Sequence, residues 1–515
     1  MNKTAVIIIG FCLAILFGVP LFFRGDYAVI SEEAKQVIII SPHNEQIRHE
    51  FGHGFQMWHQ ETYGEPAQVV WSVPGGTSEI RRMLISQYTH ALETGKKPGG
   101  EADLVFGGGS YEHSVLKKII NATYADGDVS TTISVPARID QAVLDDVYGE
   151  NLIGDITLYD PEGYWHGLAL SGFGIVYNNE VIADIGIESP TSWEALCNPE
   201  LFGKLALVNP AQSGSVTTAF EAILKNLGWK YGWEVLRRAA ANARYFSASS
   251  LKPPADVSQG DAAMGVCIDF YGRYQAQAVK SSGGGDRVGY IDPPSATMID
   301  PDPISLLRGA PNEEMALRFI TYCMTKEAQA LWQFEIEDQS GDGLGPDSFE
   351  LRRMPVRREM YAKYLGRMVD QVNPYETARP APYPDRNMRA FIAPIFSAMA
   401  MDNHEALSHA WKAIFTHPAY PETTDVVTAA DVQNEELRAM LLAFDAMPLI
   451  RTNQSSDLSM ETPENRKTLK YGWLRNQWIE EGLWHPEDYG STALKRETAV
   501  FFKEQYKAVL EFNSQ

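Results

Sequence analysis

The sequence has little cysteine and comparatively few basic residues. Its four cysteines among 515 residues are Cys12, Cys197, Cys267 and Cys323, and no pair has the C-x-x-C spacing. This spacing argues against a structural zinc site, and the three cysteines beyond Cys12 allow at most one internal disulfide. Lysine and arginine number 44 against 66 aspartate and glutamate residues, a formal net charge of −22. Such an acidic surface repels phosphate backbones, so we expect no nucleic-acid partner.

The N-terminus carries a long apolar run. Residues 5–23 are apolar over a length that suits a membrane-spanning helix. No small-x-small cleavage pattern follows the run, and Phe11 stands before Cys12 where a lipoprotein site needs a small residue. We therefore expect residues 1–25 to be an uncleaved membrane anchor, with a cleaved signal segment as the alternative. In both cases the rest of the chain is exported to the periplasm or beyond.

Three stretches share a pattern of apolar strand, small-residue turn and helix. The strand-like runs are residues 69–73, 104–106 and 205–208. The turns that follow them contain Gly75, Gly76 and Thr77, then Gly108, Gly109 and Ser110, and finally Ser213, Gly214 and Ser215. Glycine lets a ligand approach the backbone, and the N-terminus of a helix attracts negative charge. Any single turn is also compatible with an ordinary strand–helix connection, but their recurrence predicts one cleft that binds an anion.

The first core strand, residues 37–40, is followed by a candidate ligand loop. This loop contains His43 and Asn44 at the carboxyl end of the strand. Because open α/β sheets bind ligands at the carboxyl ends of their strands, we include both residues in the predicted site.

The helix expected after this loop contains a zinc-protease motif. His49, Glu50 and His53 match H-E-x-x-H, and His59 stands where a longer version has its third histidine. On a helix, however, His49 and His53 lie roughly opposite the apolar face and point outward. His59 is too far along the helix axis to share their metal. A zinc metallohydrolase is therefore an alternative of another class that we do not favour.

Six short segments occur in an informative order. They are ADLVFGGGS (102–110), GFGIVYN (172–178), PTSWEAL (190–196), GKLALVNPAQSGS (203–215), GDAAMGVCIDFYGRYQA (260–276) and PDPISLLRGAPN (301–312). In this order they resemble the extracellular solute-binding proteins of ABC importers, and within these the ferric-ion-binding type. The resemblance covers roughly residues 37–334.

The resemblance implies an α/β protein with the two-lobed periplasmic-binding-protein type II fold. From the apolar run we expect an N-terminal transmembrane helix before it. Such a protein closes on a small solute and delivers it to ABC permease subunits, without catalysis and without a cofactor. We expect residues 36–135 and 300–415 to form lobe 1 and residues 165–290 to form lobe 2. Residues 416–515 are expected to be a mainly helical extension of unknown role. A sensor or docking protein with the same fold is the alternative.

The resemblance also implies site residues, with departures that bear on the solute. The family often uses a histidine from the first loop as a ferric-iron ligand, which corresponds to His43. Its paired tyrosines fall at Phe270 and Tyr271, preceded by Asp269, so only Tyr271 is a clear match. Glycines replace the acidic ligand expected near residue 108. We therefore favour an organic anion, such as a phosphate, phosphonate or carboxylate, over ferric iron held by His43 and Tyr271.

Overall fold

The computed structural model describes residues 34–125, 127–336, 341–452, 457–475 and 490–512. The predicted anchor at residues 1–25 lies outside these ranges. Among the helices of the described ranges, none has the length and apolar character needed to cross a membrane.

The strands and helices alternate along most of the chain. The strands are β1 (Lys35–Ile40), β2 (Ala67–Ser72), β3 (Leu104–Phe106), β4 (Ile120–Tyr124), β5 (Gly127–Thr131), β6 (Ser134–Val135), β7 (His166–Ser171), β8 (Phe173–Asn178), β9 (Leu205–Val208), β10 (Ala243–Ser247), β11 (Met264–Ile268), β12 (Val288–Ile291), β13 (Asp300–Leu307), β14 (Met354–Pro355), β15 (Leu449–Ile450) and β16 (Leu458–Ser459). The helices are α1 (Glu45–Tyr63), α2 (Thr77–Glu93), α3 (Ser110–Leu116), α4 (Gln141–Tyr148), α5 (Asn179–Asp184), α6 (Gly214–Leu227), α7 (Trp229–Ala241), α8 (Lys252–Gln259), α9 (Asp269–Val279), α10 (Glu313–Met324), α11 (Lys326–Ala330), α12 (Arg358–Tyr364), α13 (Pro374–Thr377), α14 (Arg389–Phe396), α15 (His404–Phe415), α16 (Glu435–Asp445), α17 (Pro463–Leu469) and α18 (Gly490–Phe512).

Two principal sheets define two lobes. The sheet of lobe 1 has the order β14-β7-β13-β3-β1-β2, with β6 beside β13, and the sheet of lobe 2 has the order β10-β9-β11-β8-β12. Strands β1, β2 and β3 pair in parallel, as do β9, β10 and β11. The side chains of β3, β9 and β11 are apolar and buried, as expected for parallel strands that helices cover on both faces. The two-lobed α/β architecture predicted from the sequence is confirmed.

Between β7 and β13 the chain crosses from one lobe to the other twice, and the two crossings lie side by side. Strand β7 of lobe 1 runs through Gly172 directly into β8 of lobe 2, and residues 292–299 return from β12 to β13. At Gly172 an added Cβ would lie 2.7 Å from Asp292 Oδ1, so a larger residue at the crossing point would displace the Asp292 carboxylate. Strand β7, which the sequence assigns to lobe 2, lies in the sheet of lobe 1 because it pairs with β13.

The C-terminal part is mainly helical and packs on lobe 2. Helix α14 contacts α6, and α15 contacts α7, so these two helices lie against lobe 2 although the sequence places residues up to 415 in lobe 1. Aromatic packing explains the position, since the rings of Phe220 and Phe396 are 4.7 Å apart. Farther along, the buried Arg238 makes a two-pronged ion pair with Asp445, at 2.7 and 2.8 Å.

Candidate functional site

A cavity of about 500 Å³ lies between the two lobes, where the helices α1, α2, α3, α6 and α9 begin. Lobe 1 supplies the ends of β1, β2 and β3, and lobe 2 supplies the turn after β9 and the start of α9. The sequence-predicted residues that line it are His43, Asn44, Gly75, Gly76, Thr77, Gly108, Gly109, Ser213, Gly214, Ser215 and Tyr271. Stretches separated by more than a hundred residues in sequence therefore meet at one cleft.

The three glycine-rich turns touch one another at Thr77. A Cβ added to Gly108 would lie 3.2 Å from Thr77 Cγ2, and one added to Gly214 would lie 2.6 Å from Thr77 Oγ1. Gly108 also has a φ of +119°, which an L side chain rarely adopts. Arg82 of lobe 1 reaches across and donates to the carbonyl of Ala211 in lobe 2, at 3.4 Å. The lobes are thus in direct contact at this rim of the cleft.

Backbone donors are concentrated at these contacts. Within the described part of the chain, the N–H groups of Thr77, Ser78, Gly214 and Ser215 have no hydrogen-bond acceptor. They belong to the first turns of α2 and α6, whose N-termini carry partial positive charge. The arrangement suits an anionic oxygen placed between the lobes.

Three serine hydroxyls form a cluster at the lobe 2 side of the cavity. Ser213 Oγ lies 2.6 Å from Ser250 Oγ and 3.0 Å from Ser215 Oγ. Ser213 Oγ also accepts the N–H of Val216, which caps α6. Ser250 is absent from the sequence-based set, although its place after β10 follows the same strand-end rule that identified His43.

A buried ion cluster occupies the lobe 1 side. Asp302 Oδ2 accepts a hydrogen bond from His43 Nε2 at 2.7 Å and another from Arg353, while Oδ1 accepts from the N–H of Gly108 at 2.8 Å. Burial opposes ionisation of this carboxyl, but Arg353 and His43 outweigh it and lower the pKa of Asp302 to about 2. The guanidinium of Arg353 also stacks 4.5 Å above the ring of Phe270. The aromatic residue that departs from the family pattern therefore supports a cavity-lining arginine.

His43 is already engaged through one ring nitrogen. Burial lowers the pKa of His43, so the ring is neutral near pH 7, and the bond to Asp302 places its proton on Nε2. The other nitrogen, Nδ1, is buried and has no hydrogen-bond partner among the described residues. Tyr271 lines the same cavity, and burial raises the pKa of its phenol.

Ser110 and Asp269 are not among the residues that line the cavity. The hydroxyl and the N–H of Ser110 both donate to Asp300, at 2.6 and 3.2 Å, and burial raises the pKa of Asp300 to about 6. Asp269 accepts a hydrogen bond from the N–H of Gly172 at 3.0 Å. This bond connects the start of α9 to the point where the chain crosses between the lobes. Burial and the nearby Asp292 raise the pKa of Asp269 to about 7. Both predicted ligand residues thus make contacts within the protein.

Two arginines of the cavity lie outside the sequence-predicted set. Arg353 comes from a run of arginines, of which Arg352 pairs with Asp370 and only Arg353 lines the cavity. Arg389 comes from α14 in the C-terminal part and donates to Thr218. No local pattern marks Arg389, because it reaches the cleft through the packing of α14 on α6.

The H-E-x-x-H segment has a structural role at its glutamate. Glu50 is buried, and its carboxylate accepts the backbone N–H groups of Asp347, Ser348 and Phe349 at 2.8–2.9 Å. His49 and His53 are exposed, in agreement with the predicted orientation. Across the described ranges, no three His, Cys, Asp or Glu side chains are grouped as a metal site.

His59 is held in a different environment. It is buried, its Nδ1 donates to the carbonyl of Glu65 at 2.8 Å, and its Nε2 accepts from Arg318 at 2.8 Å. Both ring nitrogens are therefore used within the protein.

Part of this chain is similar in sequence to known bacterial proteins. Residues 120–337 match the family model described as "Bacterial extracellular solute-binding protein", in agreement with the resemblance identified in the sequence. An uncharacterized protein of Haemophilus influenzae is 25% identical over 203 residues, which is 38% of this chain and 56% of that protein. The phosphoglycerate transport regulatory protein PgtC of Salmonella typhimurium is 23% identical over 170 residues, 32% of this chain and 39% of that protein. The chain therefore matches about half or less of the length of these curated relatives.

Solved structures with similar folds include periplasmic binding proteins. AfuA of Actinobacillus pleuropneumoniae, with fructose-6-phosphate bound, has a TM-score of 0.44 and 16% identity, over 57% of this chain and 81% of that chain. The ferric binding protein of Campylobacter jejuni has a TM-score of 0.47 and 15% identity, over 73% of this chain and 99% of that chain.

Proposed function

Residues 120–337 resemble bacterial extracellular solute-binding proteins, and we propose that the whole chain is the substrate-binding component of an ABC importer. It captures a small organic anion between its lobes and presents it to membrane permease subunits. The protein acts on the exported side of the membrane, and residues 1–25 tether it there. Binding and release, rather than catalysis, are its activity.

The observation that carries this proposal is the meeting of helix N-termini from both lobes at one cavity. Backbone N–H groups of Thr77 and Gly214 lack acceptors within the described ranges, although they come from different lobes. A solute that accepts from both would hold the lobes together, which is how a hinged binding protein captures its ligand. The donors favour a compact anionic group of the phosphate, phosphonate or carboxylate type.

Arg353 strengthens the preference for an organic anion. Its guanidinium lines the cavity and is fixed by Asp302, by Ser171 at 3.0 Å and by the ring of Phe270. The cavity volume of about 500 Å³ exceeds the space that a bare phosphate needs and leaves room for an organic part. The name of the Salmonella relative refers to the transport of phosphoglycerate, and phosphoglycerate is an organic anion of this class.

A ligand panel tests the proposal. Purified protein is heated with inorganic phosphate, glycerol 3-phosphate, 3-phosphoglycerate, phosphonoacetate or citrate, with glycerol and chloride as controls. A ligand present at 100 times its Kd stabilises the native state by about 2.7 kcal/mol, so its melting temperature rises. Mass spectrometry of small molecules released from the purified protein is run beside the panel. If no anion stabilises the protein and none is released from it, the proposal is wrong.

Ferric iron is a second candidate, because Tyr271 and His43 line the same cavity. The engagement of His43 Nε2 with Asp302 weighs against it, since only the buried Nδ1 is left for a metal. Titration with ferric citrate separates the two solutes. We expect no visible charge-transfer band in the wild type; a red-brown complex that disappears in Tyr271→Phe but persists in Ser213→Ala would restore iron as the solute.

The location and the sensor alternative need separate tests. We expect the intact protein to sediment with membranes and its bulk to be digested only by protease added on the exported side. A soluble form that begins after about residue 25 would rule out the tether. A sensor with the same fold would bind the anion without supporting its uptake, so a transport assay in cells lacking this protein distinguishes the two roles.

A further inference from the structure

The C-terminal part of the chain reaches the solute cleft. After α13, the chain passes to lobe 2, where the N–H of Tyr383 donates to the carbonyl of Lys225 at 2.9 Å, at the end of α6. Helix α14 then packs along α6 and begins with Arg389, whose side chain lines the cavity. This segment lies beyond the residues 120–337 that match the family model.

Lobe 2 holds the guanidinium of Arg389 firmly. Nη1 donates to Thr218 Oγ1 at 2.9 Å and to Glu221 Oε2 at 3.0 Å, while Nη2 donates to the carbonyl of Gly214 at 3.3 Å. Glu221 is also paired with Lys225 at 2.9 Å, so it does not depend on Arg389 alone. The arginine is therefore positioned by lobe 2 at the N-terminal turn of α6, beside the N–H of Gly214.

The contacts of Arg389 with lobe 1 are looser. Its guanidinium lies 4.5 Å above the ring of Tyr111, and Nη2 is 3.7 Å from Glu112 Oε1, which is beyond hydrogen-bond distance. Glu112 has a closer cation in Arg81, at 3.1 Å. When the lobes separate, Arg389 stays with lobe 2 and Glu112 keeps Arg81, so the interface between them costs little to break.

We propose that Arg389 contacts the anionic group of the solute and completes the bridge between the closed lobes. The C-terminal extension is then a part of the binding site, and this inference rests on the proposed function. An anion at the N-terminus of α6 gives Nη2 the close acceptor that Glu112 does not provide, and the stacked Tyr111 links that interaction to lobe 1. Arg389 thereby adds to the coupling between solute binding and lobe closure that the N–H groups of Thr77 and Gly214 provide.

Calorimetric titration with inorganic phosphate and with glycerol 3-phosphate tests the contact. We expect Arg389→Gln to weaken binding about tenfold or more, because a charge-assisted hydrogen bond is lost. Glu112→Gln should bind as well as the wild type or better, since it removes a negative charge from the same place. Arg386→Gln is the matched control, because Arg386 is an exposed arginine on the same segment.

Lobe separation provides the second readout. Nitroxide labels at Lys97→Cys and Lys280→Cys, which are exposed positions in different lobes, report the distance by pulsed electron resonance in a Cys12→Ser background. The remaining cysteines are buried. Added phosphate ester should shorten the distance in the wild type and in Glu112→Gln, but not in Arg389→Gln at the same concentration.

The outcomes separate this inference from the proposed function. Equal binding and equal closure in wild type and Arg389→Gln would overturn the role of Arg389 and leave the proposed function standing. Failure of the wild type to bind any anion of the ligand panel, with none released from the purified protein, would overturn both. If Arg389→Gln does not fold, Thr218→Val removes one of the hydrogen bonds that position Arg389, and it must weaken binding relative to Arg386→Gln for the inference to hold.

Discussion

Asp300 and Asp302 stand two residues apart on β13 and both line the cavity, yet their surroundings act on them in opposite directions. Asp302 has Arg353, His43 and the N–H of Gly108 as donors, and its pKa falls to about 2. Among the described residues, Asp300 receives hydrogen bonds from the two donors of Ser110, and burial raises its pKa to about 6. Replacing each carboxyl by its amide should therefore change the stability of the protein with opposite signs at neutral pH.

The magnitude for Asp302 follows from its pKa. A fall from 3.8 to about 2 stabilises the native state by roughly 2 kcal/mol at pH 7. This contribution is present above pH 3.8 and is lost as the pH falls through the folded value of about 2. Asp302→Asn also leaves the buried Arg353 without its carboxylate, so we expect the free energy of unfolding to fall by about 3 kcal/mol or more.

For Asp300 the effect of ionisation on the stability of the native state has the opposite sign. A rise from 3.8 to about 6 means that the folded protein holds a proton that the unfolded chain has released. Stability is therefore lost as the pH rises from 3.8 through 6, by roughly 3 kcal/mol in total. Asp300→Asn removes this cost but leaves one donor of Ser110 without an acceptor, which costs about 1–2 kcal/mol. We expect a net gain of about 1–2 kcal/mol at pH 7.5 and a net loss of about 0.5 kcal/mol at pH 4.5.

Urea unfolding followed by tryptophan fluorescence measures both variants at pH 4.5 and 7.5. Ser110→Ala is the control, because it removes one donor to Asp300 without changing a charge. Asp302→Asn should be the less stable variant at both pH values, and Asp300→Asn should cross the wild-type curve between them. A loss of stability of equal size in both variants at pH 7.5 would refute the assignment of opposite electrostatic environments.

Other predictions concern the parts around the cleft. Glu50→Gln should lower the free energy of unfolding by about 1–3 kcal/mol, because the carboxylate of Glu50 accepts three backbone N–H groups. The control His53→Gln should stay within about 0.5 kcal/mol of the wild type. Equal effects of the two variants in urea unfolding would contradict this role of Glu50. Ser213→Ala removes the cap of α6 and should cost about 1 kcal/mol in the same assay. Asp445→Asn leaves the buried Arg238 without its carboxylate, so limited proteolysis should cut the C-terminal extension faster than in the wild type. An unchanged rate would show that this ion pair does not hold the extension.

The strand–turn–helix units can be predicted from the sequence because their signals are local. A short apolar run, small residues and a helical spacing all fall within about twenty residues, as at residues 205–227. The strand-end rule also identifies the loop with His43. Since each such turn lies at the carboxyl end of its strand, the cleft between the lobes follows from the parallel arrangement of the strands.

The partners of these residues cannot be predicted in the same way. His43 bonds to Asp302, which lies 259 residues farther along the chain, and this contact exists only once β1 and β13 lie on either side of β3. Asp269 looks like a ligand because it precedes Tyr271, but the fold turns its carboxylate toward Gly172. Both cases depend on long-range packing, which leaves no spacing pattern in the sequence.

The position of the C-terminal extension determines how the lobes can move. Arg238 joins the extension to α7 through Asp445, and Phe396 joins it to α6 through Phe220, so the extension and lobe 2 form one packed body. Among the described residues, its contacts with lobe 1 inside the cleft are the loose ones of Arg389 with Tyr111 and Glu112. Because a hinged protein opens where its contacts are weakest, opening must separate lobe 1 from lobe 2 and the extension together. Arg389 therefore moves together with the N-terminus of α6, and the guanidinium of Arg389 and the backbone N–H groups of this helix N-terminus contact the solute as one unit.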